Sequence, residues 1–266
     1  MDRRRYLGAL GVGCLTGVAG CLESSRSLLD SEPEPGRGDW GDGETILETP
    51  TEDRGSPSHP IHGHEMPSFT LPDPLTGEDV SSTALEGERS YLMTFFFTAC
   101  PDGACPALLL RLRRAQADSI EAGYDDEFAL LAMTFDPERD TPEVLETYAG
   151  QQGVDLEAGN WHFLRPESYK DGEQLLTDEF GLLLDRIEDE EELEEYEDVE
   201  NGHEHDDSDD DSDHDHSDHD HGEYTFVHYN LILLVNEHGV VERSYPNALR
   251  TDSETIVEDV RAVVQH

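Results

Sequence analysis

The 266-residue chain is poor in basic side chains: 17 Lys and Arg stand against 63 Asp and Glu, a formal net charge of −46. Excess acid on this scale repels phosphate backbones and argues against nucleic acid as a partner. The opening of the chain also lacks a hydrophobic run long enough to cross a bilayer. Its weakly apolar stretch, Ala9 to Gly20, falls short of the roughly 20 residues that a membrane-spanning helix needs. Cysteine is scarce, with Cys14, Cys21, Cys100 and Cys105 making up the total. What is present is sufficient for a core: apolar residues are 35% of the chain and charged residues 30%. The length suits one domain with appendages.

The acidity has two sources. Residues 187–223 hold 21 of the 63 acids and no Lys or Arg. The acids outside that tract still far outnumber the basic residues, which is the pattern of a surface adapted to high salt, where self-repulsion is screened. A halophilic source is therefore expected.

The first twenty residues read as an address. Arg3-Arg4-Arg5-Tyr6-Leu7 resembles a twin-arginine export signal. Val18-Ala19-Gly20-Cys21 resembles a lipobox, in which Cys21 takes a lipid and residues 1–20 are removed. Cys14 leaves with the signal on this reading, so Cys100 and Cys105 remain as the thiols of an exported, lipid-anchored chain. In that compartment they can form a disulfide. Residues 21–65, rich in Ser, Glu, Pro, Gly and Asp, are expected to form a disordered tether. His59, His62 and His64 read as part of a solvated polar loop at its end.

Residues 66–266 carry the pattern of a folded domain. Phe69-Thr70-Leu71 and Asp79-Val80-Ser81 flank a turn-rich segment and predict a β-hairpin extension. Tyr91 to Phe97 and Phe128 to Thr134 are continuous apolar runs, as expected of strands buried on both faces. Helices are predicted from about Pro106 to Ala122, with Leu108, Leu109, Leu112 and Ala115 at helical spacing, and from Pro142 to about Ala149, capped by Thr141. A short strand at Trp161 to Leu164, a helix from Pro166 or Tyr169 to Phe180 and an extended segment at Leu182 to Ile187 follow. Thr225 to Val235 reads as one long strand, turned at Asn236-Glu237-His238-Gly239 into a return strand ending at Tyr245, before a last helix capped by Asp252 or Ser253. Strands alternating with helices and closing on an antiparallel hairpin predict an α/β, thioredoxin-like three-layer sandwich. The Asp/Glu/His-rich tract at 187–223 interrupts it and is too polar to offset its ordering entropy, so it is expected to be a disordered insertion.

Cys100 and Cys105 lie where a buried strand meets a helix start. The partial positive charge and unpaired N–H groups of a helix N-terminus favour thiolate. Thiolate serves both disulfide exchange and metal ligation. A static structural disulfide is the plainer alternative. Asp102 and Asp136 read as turn and cap residues.

Phe96 to Pro106, which includes Cys100-Pro101-Asp102-Gly103-Ala104-Cys105, resembles the active-site loop of the Sco/SenC family. Met133 to Glu143, with Asp136-Pro137-Glu138-Arg139-Asp140-Thr141-Pro142, resembles that family's second signature, and Val227-His228-Tyr229-Asn230 its third. The resemblance implies a copper site made by Cys100, Cys105 and His228, a redox-active Cys100–Cys105 disulfide, and a His228 in the central sheet facing the cysteine loop. Two departures stand out: four residues separate the cysteines where the family has three, with Gly103 able to absorb the extra one, and Val227 replaces the usual Asp before the His. Two thiolates suit Cu(I), and an added imidazole suits Cu(II). The resemblance implies a membrane-anchored, extracytoplasmic metallochaperone that delivers a copper ion to the copper-containing subunit of a haem–copper oxidase, with a thiol–disulfide oxidoreductase as the alternative. His203, His205, His214, His216, His219 and His221 of the insertion are an accessory metal-binding candidate.

Overall fold

The computed structural model describes residues 40–52, 55–188 and 224–266. Residues 1–39, with Cys14, Cys21 and the start of the expected tether, lie outside them, as do His203, His205, His214, His216, His219 and His221. No helix among the described residues is long and apolar enough to cross a membrane.

The centre is a five-stranded sheet built on the two apolar runs. Strand β3 (Ser90–Phe96) and strand β4 (Phe128–Thr134) are buried at every position and pair in parallel, with Tyr91 opposite Ala129 and Phe96 opposite Thr134. Strand β5 (Trp161–Leu164) extends the parallel ladder from β4. On the other side, β8 (Ile232–Val235) pairs antiparallel with β3, and β9 (Val241–Tyr245) antiparallel with β8. The order across the sheet is β5-β4-β3-β8-β9. A hairpin of β1 (Thr70–Asp73) and β2 (Glu78–Ser81) precedes it, followed by the single-turn α1 (Ser82–Leu85).

Helices cover both faces because neighbouring residues of a strand point to opposite sides. Phe96 stacks on Tyr148 of α3 (Pro142–Gln152), ring centroids 5.8 Å apart, whereas Phe95 meets Phe180 at 5.4 Å. Helix α2 (Ala104–Ala122) packs on β3 and β4 and against α3 and α5 (Ser253–Val264), with Leu108, Leu109, Leu112 and Ala115 fully buried as their spacing predicted. Helix α4 (Tyr169–Gln174) runs into a π-helical turn at Leu175–Glu179 that ends on Phe180. The result is the predicted thioredoxin-like α/β sandwich with its hairpin extension.

Three expectations need correction. The run Thr225 to Val235 is two strands. Strand β7 (Thr225–Val227) pairs with β6 (Asp185–Ile187) in a separate two-stranded sheet, so His228 lies in the link to β8 and not in the central sheet. The chain switches sheets there because its backbone is bonded elsewhere: Thr94 donates to the Leu231 carbonyl at 2.8 Å, and the Ala248 N–H donates to the Asn230 carbonyl at 3.0 Å.

Secondly, residues 40–52 and 55–64 of the expected tether pack on the domain. They form a strap along β9, held by Gly63 N–H to the Val241 carbonyl and Val241 N–H to the His64 carbonyl, both 2.9 Å. The buried carboxylate of Glu242 accepts from Ile46 N–H (2.8 Å), Leu47 N–H (2.9 Å) and Asn236 Nδ2 (2.7 Å). Gly41 is required: a Cβ there would lie 1.9 Å from the Gly63 carbonyl oxygen. The strap covers what would otherwise be an exposed sheet edge.

Thirdly, His59 and His62 are buried and not part of a solvated loop. Each has its Nδ1 on a backbone oxygen, His62 on Glu242 O at 2.9 Å and His59 on Pro60 O at 3.0 Å, and His62 Nε2 lies 3.4 Å from the Thr45 hydroxyl.

Candidate metal centre

Strand β3 ends at Phe96, and the next residues are pinned before the thiols appear. The fully buried carboxyl of Asp140 accepts from the Thr98 hydroxyl at 2.5 Å and the Thr98 N–H at 3.2 Å, and from the Thr134 hydroxyl. Arg165 in turn holds that stretch, donating to the carbonyls of Asp140 (2.9 Å) and Pro137 (2.7 Å). The loop from Cys100 then turns at Gly103, whose φ of 72° is left-handed. This is the conformation glycine adopts without strain. Helix α2 starts two residues earlier than predicted, so Cys105 sits inside its first turn. Asp102 makes that start possible by accepting from the Ala104 N–H at 2.8 Å.

The two thiols are in different surroundings. Cys105 is buried, Cys100 half-buried, and both are free. The pair stands here as two thiols, the reduced partner of the expected Cys100–Cys105 disulfide. Each sulfur has its own partners: Cys100 donates to Asp102 Oδ1 at 2.8 Å and accepts from the Cys105 N–H at 3.3 Å, while Cys105 Sγ lies 3.9 Å from His228 Nε2. A hydrogen bond from the Cys105 side chain, with help from the His228 side chain, brings the Cys100 thiol down to about 7. Burial, then the neighbouring Cys100, pushes Cys105 well above the usual thiol range. One thiol is poised to ionise near neutrality and the other holds its proton.

His228 reaches the pair from β7. Its ring packs against Phe97 (5.7 Å) and Phe135 (5.2 Å), and its Nδ1 lies 3.4 Å from the Tyr229 carbonyl oxygen. Cation–π stacking anchors the hairpin that carries it: the guanidinium carbons of Arg139 and Arg186 lie 3.8 and 3.6 Å from the centre of the Tyr224 ring. The Tyr224 hydroxyl donates to Asp136 at 2.8 Å, and Arg139 pairs with the same carboxylate. Asp102 and Asp136 are thus turn residues, as predicted, that also touch the site and its supports.

The structure brings together Cys100, Cys105 and His228: one ligand atom from each lies within 4.8 Å of the others. Donors sharing one ion at about 2–2.3 Å come within roughly 4 Å of one another. Closing the site around an ion therefore needs less than about 1 Å of side-chain movement. Two sulfurs and an imidazole form a soft set suited to Cu(I) and tolerant of Cu(II). Sequence reading missed Asp140, Thr98, Arg139 and Tyr224; the dense Asp136–Asp140 segment was the one available signal.

Fold and site together define a thioredoxin-like protein with a preformed dithiol–imidazole centre. The SCO1/SenC family model matches residues 59–159, which include both cysteines and the Asp136–Asp140 loop, and this shows the family resemblance read from those motifs. His228 lies beyond the matched segment. A "putative copper-binding protein" of Stutzerimonas stutzeri is 37% identical over 83 residues, covering 31% of this chain; the chain spans 39% of that relative's length. The crystal structure of a SCO1/SenC family lipoprotein from Bacillus anthracis str. Ames aligns with a TM-score of 0.53 at 20% identity, over 75% of this chain and 94% of that one. BsSco, described as a member of the Sco family of cytochrome c oxidase assembly proteins with a disulfide switch, aligns with a TM-score of 0.52 at 20% identity, over 79% and 98%. At these identities the two structures establish a shared fold.

Proposed function

We propose that this chain is a Sco-type copper metallochaperone that binds one copper ion through Cys100, Cys105 and His228. The observation that carries this is the gathering of the three ligand atoms within 4.8 Å. The similarity to a putative copper-binding protein of S. stutzeri and to BsSco, of the Sco family of cytochrome c oxidase assembly proteins, supports copper as cargo and the copper-containing subunit of a haem–copper oxidase as recipient. Lipidation at Cys21 after export would hold the domain on the extracytoplasmic membrane face; the lipobox-like Val18-Ala19-Gly20-Cys21 supports this.

A second reading is favoured by the unequal thiols. Cys100 ionises near about 7 and Cys105 far higher. That is the division of labour of a disulfide reductase. The Cys100 thiolate attacks a client disulfide and releases one client thiol. Cys105, losing its proton, then displaces the second client thiol. The client gains two electrons and two protons, and the pair becomes a disulfide.

Copper titration of the reduced chain and of His228→Ala separates the readings. Stoichiometric copper that is lost or weakened at least about a hundredfold in the variant (~2.7 kcal/mol) supports the chaperone. Equal copper affinity in both chains removes His228 from the site and leaves the reductase.

A further inference from the structure

A groove of about 460 Å³ opens beside the dithiol centre, between the Thr98–Ala99 peptide and one face of α3. Its walls include Thr98, Ala99, Val144, Thr147, Tyr148 and Gln151. Three features mark it. It begins in the two residues that lead directly into Cys100, so whatever lies in it ends next to the half-buried thiol of the pair. Val144 is 38% exposed within it, an apolar side chain at the surface of a chain with a net charge of −46. Beneath it, Tyr148 is 6% exposed, and its hydroxyl is buried with no hydrogen-bond partner.

An orphaned buried hydroxyl costs about 1–3 kcal/mol, and a phenylalanine would fill the same place, stacked on Phe96, without that cost. The hydroxyl, lying beneath the groove, is a donor that a docked main chain meets once the Tyr148 ring turns outward. The length of the groove also specifies its occupant. From Glu143 to Gln151 the helix advances roughly 12 Å at 1.5 Å per residue, the span of about four extended residues.

We propose that this groove seats an extended, cysteine-bearing segment of the partner protein and sets its sulfur against Cys100. The proposal rests on the reading of Cys100 as the reacting thiol of the centre, and applies equally to ligand exchange on copper and to disulfide exchange.

The test uses the full chain carrying Cys105→Ser, Cys14→Ser and Cys21→Ser, so that Cys100 is the one thiol left and a mixed disulfide with it is trapped. Two probes are compared: dipyridyl disulfide, and a decapeptide without acidic residues whose central cysteine is activated as a pyridyl disulfide. In each, the Cys100 thiolate attacks, a new S–S bond forms to the probe, the old S–S bond breaks, and the pyridyl sulfur leaves with the electron pair, takes a proton and absorbs as pyridinethione. Val144→Glu and Thr147→Trp, both at the surface, should slow the peptide about tenfold while the small disulfide stays within about twofold. Tyr148→Phe should raise the melting temperature yet lower the ratio of peptide rate to small-disulfide rate; a purely structural role would move only the melting temperature. Peptide rates unchanged in the groove variants overturn the groove and leave the dithiol centre standing. A change in oligomeric mass in place of peptide rate also overturns it, because the face would then serve a second copy of the chain. Failure of the parent to react even with dipyridyl disulfide refutes the reading of Cys100, and the proposal with it.

Discussion

Two stretches of irregular chain are each pinned by one buried carboxylate, and they are pinned for different ends. The strap of residues 40–52 and 55–64 is held by Glu242, which accepts from two backbone N–H groups and an Asn side chain, and it seals the edge of β9. The cysteine loop is held by Asp140, which accepts from one N–H and two hydroxyls on Thr98 and Thr134, and beyond that pin it is left open. The strap buries His59 and His62, each with its Nδ1 on a backbone oxygen. The loop leaves Cys100 half-buried, His228 half-buried and the Tyr148 hydroxyl without a partner. Satisfied polar groups close an edge; groups left partly unsatisfied at the end of a rigid strand remain available for chemistry.

The comparison breaks first at Glu242. Glu242→Ala takes the acceptor from two part-buried N–H groups and from an Asn236 amide that keeps its bond to the Glu44 carbonyl, and the expected loss is ~3 kcal/mol in urea unfolding. Limited proteolysis should then cut within residues 40–64 far faster than in the parent. A strap that stays protected in this variant would show that its glycine-mediated backbone pairing suffices and that the carboxylate is not its pin.

Asp140 should show the opposite character, a pin whose strength depends on pH. Burial raises its carboxyl to about 6, against the hydrogen bonds from Thr134 and Thr98. The folded state therefore holds this proton more tightly than the unfolded chain does. Its contribution to stability is greatest below the ordinary carboxylate range and is lost as pH rises through about 6. Between those limits the stability difference between the parent and Asp140→Asn should change by on the order of 2 kcal/mol. A difference that is flat with pH would mean that the carboxyl is solvated and does not hold Thr98.

Much of this architecture was legible in the chain. The runs at 91–97 and 128–134 could be read because strands buried on both faces need side chains that are apolar throughout, and the Pro142 helix because its cap and first turn are local. The strap was not legible. Its bonds are main chain to main chain, and a Ser/Glu/Pro/Gly composition describes side chains only. The break after Val227 was hidden for a related reason: β-propensity runs unbroken from Thr225 to Val235, and the switch of sheets is set by partners distant in sequence, Thr94 and Ala248. The cysteine pair and His228 could be picked out as residues, but their approach depends on the Arg139–Tyr224–Arg186 stack, which has no local signature.

Smaller changes refine the view of the open loop. Gly103 has φ 72° with open space around its would-be Cβ, so Gly103→Ala meets no clash and costs only backbone strain. About 1 kcal/mol of stability should be lost, less in Gly103→Asn, which tolerates the left-handed region better. A loss well above that in thermal unfolding would mean that the loop is packed more tightly than the cysteine site requires.

The smallest effect concerns the proton on Cys100. Asp102 Oδ1 accepts both from the Ala104 N–H, which starts the helix, and from the Cys100 thiol. The second bond stabilises the protonated sulfur and so works against the hydrogen bond from Cys105 that draws the thiol down. Asp102→Asn keeps an oxygen for Ala104 and removes the negative charge beside the sulfur. Cys100 should then ionise at lower pH, and alkylation by iodoacetamide about one pH unit below its midpoint should speed up about two- to threefold. The melting temperature should hardly move, because the helix start is preserved. Slower alkylation would show that the carboxylate acts on Cys100 as a base, not as a brake, and would put the open loop under the same tight control as the strap.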